Sequence, residues 1–177
     1  LAMALVIGAR KGYGKVPMEP SNIPYTVLGA FLLWFGWFGF NAGSALAANG
    51  LAVQAFATTN MASASAMITW VMFDALVGRK ISAMGACIGA VVGLVAITPA
   101  AGFVNLGQSV FIGFVAALVS NMAVYYKQKT SLDDTLDVFP CHGLGGMVGM
   151  LLTGVFASTA VHGIPGGPEG LFYGNPG

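Results

Sequence analysis

From Val138 to Ala157 the chain runs for about 20 residues without a Lys, Arg, Asp or Glu, the length an α-helix needs to cross the hydrocarbon core of a bilayer. One ionisable side chain, His142, lies near the head of that run. An imidazole at such depth is costly, so it faces a bundle interior or a polar pathway and not lipid. The rest of the chain obeys the same restriction. Charged residues make up 7% of it and hydrophobic residues 56%, where soluble domains carry about 25% charged residues. A net charge of +1 with no basic tract offers no footprint for nucleic acid.

The few charges are segregated. All seven basic residues fall in three connections: Arg10, Lys11 and Lys15; Arg79 and Lys80; Lys127 and Lys129. The alternate connections, around Asn49, around Gly102 and after Ala157, hold none. Basic loops stay on the cytoplasmic side, so the first complete span runs outward and the segment 158–177 is an external loop. The expected architecture is all-α, a polytopic membrane helix bundle lying in the bilayer of the cell membrane.

The spans follow from breakers and apolar runs. Leu1 to Ala9 is apolar without a basic leader or a cleavage site and reads as the end of a span, the chain being a fragment. Pro17, Pro20 and Pro24 forbid a helix through the next connection. Complete spans are expected at about 25–48, 51–77, 84–98, 106–126 and 138–157, with Asn49-Gly50 as a tight turn between the first two. Gly85, Gly89 and Gly93, and likewise Gly113 and Ala117, recur at four-residue spacing, which makes flat stripes where helices approach closely. Tyr125, Tyr126 and Lys127 fit an interfacial anchor. Asp137 is the expected cap of the last span, with Pro140 in its first turn. Cys87 and Cys141 lie in apolar runs and act as small hydrophobes. His162, in the Pro/Gly-rich tail without partners at metal spacing, is expected to be solvent-exposed, and no metal or other cofactor is implied.

Two constellations carry chemistry. Trp37, Phe40, Asn41 and Ser44 stand at i, i+3, i+4 and i+7 and share one face of a helix. Aromatic faces attract a small cation and a hydroxyl can accept from it. Val138 and His142, four apart, share a face of another span. Together they describe an apolar lumen with one titratable group and a polar outer mouth. No nucleophile–base pair or metal cluster stands in the spans, so an enzyme is not expected.

At these residues the sequence resembles a known family. Phe35-Gly-Trp-Phe-Gly-Phe-Asn-Ala-Gly-Ser44 and Asp133-Asp-Thr-Leu-Asp-Val-Phe-Pro-Cys-His-Gly-Leu-Gly-Gly146 are similar to two signature segments of the ammonium transporter (Amt/Mep/Rh) family, and the Trp and Ser positions look like its Amt/Mep branch. The likeness extends over essentially the whole chain. It implies the second half of the ammonium transporter fold: an eleven-span homotrimer with one pore per subunit, of which residues 1–177 form the end of span five through span ten. It further implies that His142 is the second of two pore histidines and a proton relay, that Trp37 and Val138 line the pore, that Phe40 is a gate ring and that Ser44 belongs to the external ammonium recruitment site. Asp137 matches a position with a structural role. The implied activity is ammonium/ammonia transport, the cation being recruited outside, deprotonated and conducted as ammonia, with a cytoplasmic regulator possible. The rival readings are an ammonium sensor on the same fold and a non-conducting subunit, the latter expected to lack the polar pore residues.

Overall fold

The computed structural model describes residues 1–174; the last three residues of the expected external loop lie outside it. Among the described residues every regular element is helical. The order is α1 (Ala2–Ile7), α2 (Ile23–Asn41), a 3-10 turn (Gly43–Ala45), α3 (Gly50–Leu76), α4 (Ala83–Ile97), α5 (Leu106–Lys127), a π-helical turn (Phe139–Leu144) leading into α6 (Gly145–Phe156), α7 (Thr159–His162) and a final 3-10 turn (Leu171–Tyr173). Three stretches, Ile23–Ala45, Leu106–Lys127 and Phe139–Phe156, are long and apolar enough to cross a membrane. Helix α4 is shorter at 15 residues, and Pro99 follows it in a turn whose Ala100 and Ala101 are buried.

Side-chain caps set the helix starts. Asn22 accepts from the Tyr25 N–H at 3.0 Å, Asn49 from Ala52 at 3.0 Å and Ser82 from Gly85 at 3.0 Å. Asn105 and Gln108 form a reciprocal capping box. Each such cap contributes about 1 kcal/mol by satisfying a donor the helix cannot.

Helix α3 is the centre of the bundle, packed on both α4 and α5, while α2 lies chiefly along α4. Its hydroxyl residues bind neighbouring backbones. Ser63 donates to Ala90 O at 2.9 Å, Ser65 to Val110 O at 2.8 Å, and Thr58 to Ala101 O. The small-residue stripes make this closeness possible. A Cβ added at Gly89 would stand 2.6 Å from the Trp70 Cβ, and one at Gly93 would stand 2.6 Å from the Ser63 Cα. Gly113 meets the Ala62 backbone in the same way, from the α5 side. At the inner end of α3, buried Asp74 accepts from Asn121 Nδ2 at 3.0 Å and pairs with Arg79 at 3.2 Å, so the carboxylate is not left alone in an apolar interior.

Three expectations require correction. The helix expected over 25–48 ends at Asn41 and tightens into the 3-10 turn Gly43–Ala45, which Leu46 closes with a left-handed backbone (φ 53°). The connection to α3 is therefore residues 42–49 and not a two-residue turn, with Asn49 spent as the cap of α3. Asp137 is not a side-chain cap: its backbone is left-handed (φ 52°), and its carboxylate pairs with Lys127 Nζ at 2.6 Å. The capping oxygen belongs to Asp134, whose Oδ2 accepts from the Phe139 N–H at 2.7 Å. His162 is buried, not solvent-exposed: its ring packs 5.1 Å from that of Phe103. Its Nδ1 accepts from Ile164 N–H at 3.1 Å, which leaves Nε2 to donate to Pro168 O at 3.1 Å. The Pro/Gly composition identified a loop, but it did not reveal that the loop folds back on the α4–α5 connection through Ser158 N–H to Phe103 O at 2.9 Å.

Candidate functional site

Two cavities lie along α2, one on each side of Trp37: the inner between α2 and α4, the outer between the end of α2, the start of α3 and the α4–α5 connection. The outer one, about 280 Å³, is lined by Phe40, Asn41, Ser44, Thr98, Ala101 and Phe103 among others. Trp37 lines neither cavity but is tied to the outer one through Thr98: the indole Nε1–H donates to Thr98 Oγ1 at 2.8 Å, and the Thr98 hydroxyl donates on to Leu94 O at 2.8 Å. The Trp37 and Phe40 rings meet edge-on at 5.7 Å, a favoured aromatic geometry. This chain of contacts fixes the indole plane, and Thr98 is the member that sequence reasoning missed. Its signal was the Thr98-Pro99 pair just past a glycine-striped helix.

The expected four-residue face divides in the structure. Asn41 is buried, and its Nδ2 donates to Thr59 Oγ1 at 2.9 Å, so the amide also ties α2 to α3. Ser44 lies past the helix end in the 3-10 turn, and its hydroxyl donates to Phe40 O. That bond uses the only proton of the hydroxyl and leaves its lone pairs as acceptors. Ser44 therefore offers what a cation donor needs beside the exposed Phe40 ring.

The inner cavity, about 450 Å³, is lined by α2 residues such as Ala30 and Leu33, by Cys87, Ile88 and Val91 of α4, and by Leu136, Cys141 and His142. None of these residues but His142 carries a group that is charged near neutral pH. Among the described residues the His142 ring makes no hydrogen bond. It sits in the π-helical turn Phe139–Leu144, a rare geometry that concentrates at functional sites. Gly143 and Gly149 let the segment form: a Cβ at Gly143 would stand 2.9 Å from the Phe139 ring, and Gly149 abuts the Ala96 backbone. The wide turn also takes Val138 out of α-helical register with His142. Val138 is 42% exposed and does not line the cavity.

A charged framework on the basic-loop side holds the segment before His142. Lys127 Nζ reaches both the Asp137 carboxylate at 2.6 Å and Asp134 O at 3.0 Å. Arg10 grips Asp133 with its backbone N–H at 2.9 Å and its guanidinium at 2.8 Å to each carboxylate oxygen, and Tyr13 donates to Leu132 O at 2.9 Å. The hydrogen bonds from the Arg10 side chain hold the Asp133 carboxyl down to about 2. No cluster of His, Cys, Asp and Glu suited to a metal ion occurs among the described residues.

An all-α bundle with helices long and apolar enough to cross a bilayer, and an apolar cavity holding one histidine, defines a polytopic membrane protein. Known sequences and structures agree. The sequence model of the Ammonium Transporter Family matches residues 1–176. The chain belongs to the ammonium transporter family. It is 44% identical over 176 residues to ammonium transporter Amt1 of Archaeoglobus fulgidus, covering 99% of this chain and 44% of that protein. The crystal structure of Candida albicans Mep2 superposes with a TM-score of 0.88 at 40% identity, over 99% of this chain and 40% of that one. A structure described as "Sensor Amt Protein" gives a TM-score of 0.81 at 31% identity, over 90% of this chain and 41% of that one. The chain thus spans less than half the length of these relatives.

Proposed function

We propose that the full-length protein carries ammonium/ammonia across the cell membrane as a homotrimer, each subunit with its own pathway along α2. Ammonium is recruited at the outer mouth by the Phe40 ring and the Ser44 lone pairs, and it loses its proton near Phe40. Ammonia then crosses past Trp37 into the inner cavity, with His142 taking up the released proton and relaying it. The physical reason is the cost of charge: a bare cation in an apolar lumen is strongly disfavoured, whereas neutral ammonia is small and weakly polar. An imidazole with an unperturbed pKa near 6.5 exchanges protons at physiological pH.

The observation that carries this reading is His142 in an otherwise uncharged cavity, along the same helix, α2, as an aromatic mouth with a free hydroxyl acceptor. Transport is preferred to sensing because the Archaeoglobus relative, at 44% identity, is named as a transporter, whereas the sensor likeness is 31%. The test is reconstitution of the full-length protein in liposomes loaded with a pH dye. An ammonium gradient is expected to drive a current absent from empty liposomes, or an internal pH change faster than the leak of ammonia through them. Identical traces from both would refute transport.

A further inference from the structure

His162 is a buried titratable side chain that the pathway past His142 does not use. It is 6% exposed, and this chain alone covers it: the Phe103 ring of the α4–α5 connection packs on it, and the backbone of residues 164–168 wraps it. The wrap is tight. Gly167 has no room for a Cβ, which would collide with the imidazole. Both ring nitrogens are in use, Nδ1 accepting from Ile164 N–H and Nε2–H donating to Pro168 O, each at 3.1 Å. One neutral tautomer alone satisfies that pair of bonds.

Phe103 joins this loop to the outer cavity. Its backbone oxygen accepts from the N–H of Ser158, the cap residue of α7, at 2.9 Å; its ring lies 5.1 Å from the imidazole; and it lines the cavity together with Phe40 and Ser44. The loop is closed again by Gly170 N–H on Ala157 O at 2.8 Å and by Glu169, whose Oε1 accepts from Thr159 N–H at 3.0 Å.

An imidazolium cannot keep this arrangement. With a proton on Nδ1 the ring presents two donors, so the Ile164 N–H loses its acceptor and faces another N–H. The α4–α5 connection and the end of α6 bring no charged residue to the ring, and residues 158–174 hold no Lys or Arg. The acidic group of the loop is Glu169, whose Oε2 is buried without a hydrogen-bond partner. It attracts a proton to the loop but does not replace the lost acceptor, since its other oxygen is spent on Thr159 at the start of α7. Tyr173, the remaining titratable residue, is engaged with Gln108 Nε2 at 2.9 Å.

We propose that neutral His162 is a positioning residue for ammonium recruitment: it latches the external loop against Phe103, so that this ring is held at the outer mouth, and acidification outside releases the latch. Histidine suits the task because its charge changes between about pH 5 and 8. The latch sets how well ammonium is bound at the mouth and leaves passage past His142 unchanged. This inference rests on the transport reading.

The test is initial ammonium uptake by cells expressing the full-length protein, at external pH of about 7.5 and about 5.5, on either side of the histidine range. Wild type is compared with His162→Ala and His162→Asn, each normalised to assembled oligomer. Asparagine places an amide oxygen near the Nδ1 position but does not titrate. At the higher pH, His162→Ala is expected to raise the half-saturating concentration by about two- to ten-fold, the range that one lost hydrogen bond allows, with the maximal rate kept and His162→Asn nearer to wild type. Acidification is expected to move wild type toward the alanine variant and to leave His162→Asn where it was. If His162→Ala does not assemble, the pH profiles of wild type and His162→Asn decide. Identical profiles for those two, or a change confined to the maximal rate, would overturn the latch alone. Wild-type cells that take up ammonium no faster than cells carrying an empty vector would overturn the transport reading and this inference with it.

Discussion

Replacing Gly93 with alanine adds one methyl group at the tightest part of the α3–α4 contact. The new Cβ would stand 2.5 Å from Ala62 O, 2.6 Å from the Ser63 Cα and 2.8 Å from the Ala66 Cβ. Two of these atoms are backbone, so no side chain can swing away. Restoring an ordinary carbon–carbon separation of about 3.5 Å requires the helices to part by roughly 0.9 Å. The Ser63 Oγ to Ala90 O bond, now 2.9 Å, would stretch beyond hydrogen-bonding range, a loss of about 0.5 to 1.5 kcal/mol. Overpacking adds about 1 to 3 kcal/mol. Against this stands a gain of about 1 kcal/mol from exchanging glycine for alanine within a helix, which leaves a net destabilisation of about 0.5 to 3.5 kcal/mol. Gly36 is the control, a helical glycine with nothing within 4 Å of its added Cβ. Thermal unfolding of the full-length protein in detergent is expected to show Gly93→Ala melting below wild type, with Gly36→Ala at or above it. Equal midpoints for the two variants would refute the close-packing argument.

Ser44→Ala is expected to raise the half-saturating ammonium concentration a few-fold with the maximal rate kept, matching a lost hydrogen bond of about 0.5 to 1.5 kcal/mol; a collapsed maximal rate at unchanged half-saturation would contradict a recruiting role. Asp133 is held down to about 2 by Arg10, against about 3.9 for a free aspartate. Its contribution to stability is thus complete above about pH 4 and drains as the pH falls toward 2. Melting temperature measured across that window should fall less steeply in Asp133→Asn than in wild type, and parallel curves would count against the clamp. Single cysteines placed in the Arg79–Lys80 connection and in the tail, in a background without Cys87 and Cys141, are expected to react with an impermeant maleimide on whole cells only in the tail. The reverse pattern would overturn the topology.

The fold was legible where chemistry repeats at helical intervals. The glycine spacing of α4 foretold a close approach, and Gly89 and Gly93 do abut α3. What the sequence hid depends on contacts between segments remote in the chain. Nothing local to Asp137 says that Lys127, ten positions earlier, takes its carboxylate and leaves the capping to Asp134. Ser44 kept helical spacing from Trp37, yet α2 ends at Asn41 and Ser44 falls in a 3-10 turn closed by left-handed Leu46, a position where sequence alone gives no such signal. His162 looked like a loop histidine until the chain folded back and brought its ring to Phe103. For the candidate site, the motifs pointed to Phe40, Asn41 and Ser44, which line one cavity, and to His142, which lines the other, but not to the places of Trp37 and Val138, which line neither. Thr98 and the framework around Lys127 could not be read, since each acts through a partner on another helix or loop.

The central claim is that His142 serves conduction and is not merely a packed histidine. Its most direct test is His142→Ala in the full-length protein, with its oligomer size verified against wild type by light scattering, followed by ammonium-driven current and ammonia-driven internal pH change in proteoliposomes. The cavity around the ring is apolar and the helix does not depend on the imidazole, so the variant is expected to assemble with conduction abolished or its selectivity altered. A well-assembled His142→Ala protein that gives both signals at wild-type magnitude and selectivity would contradict the account.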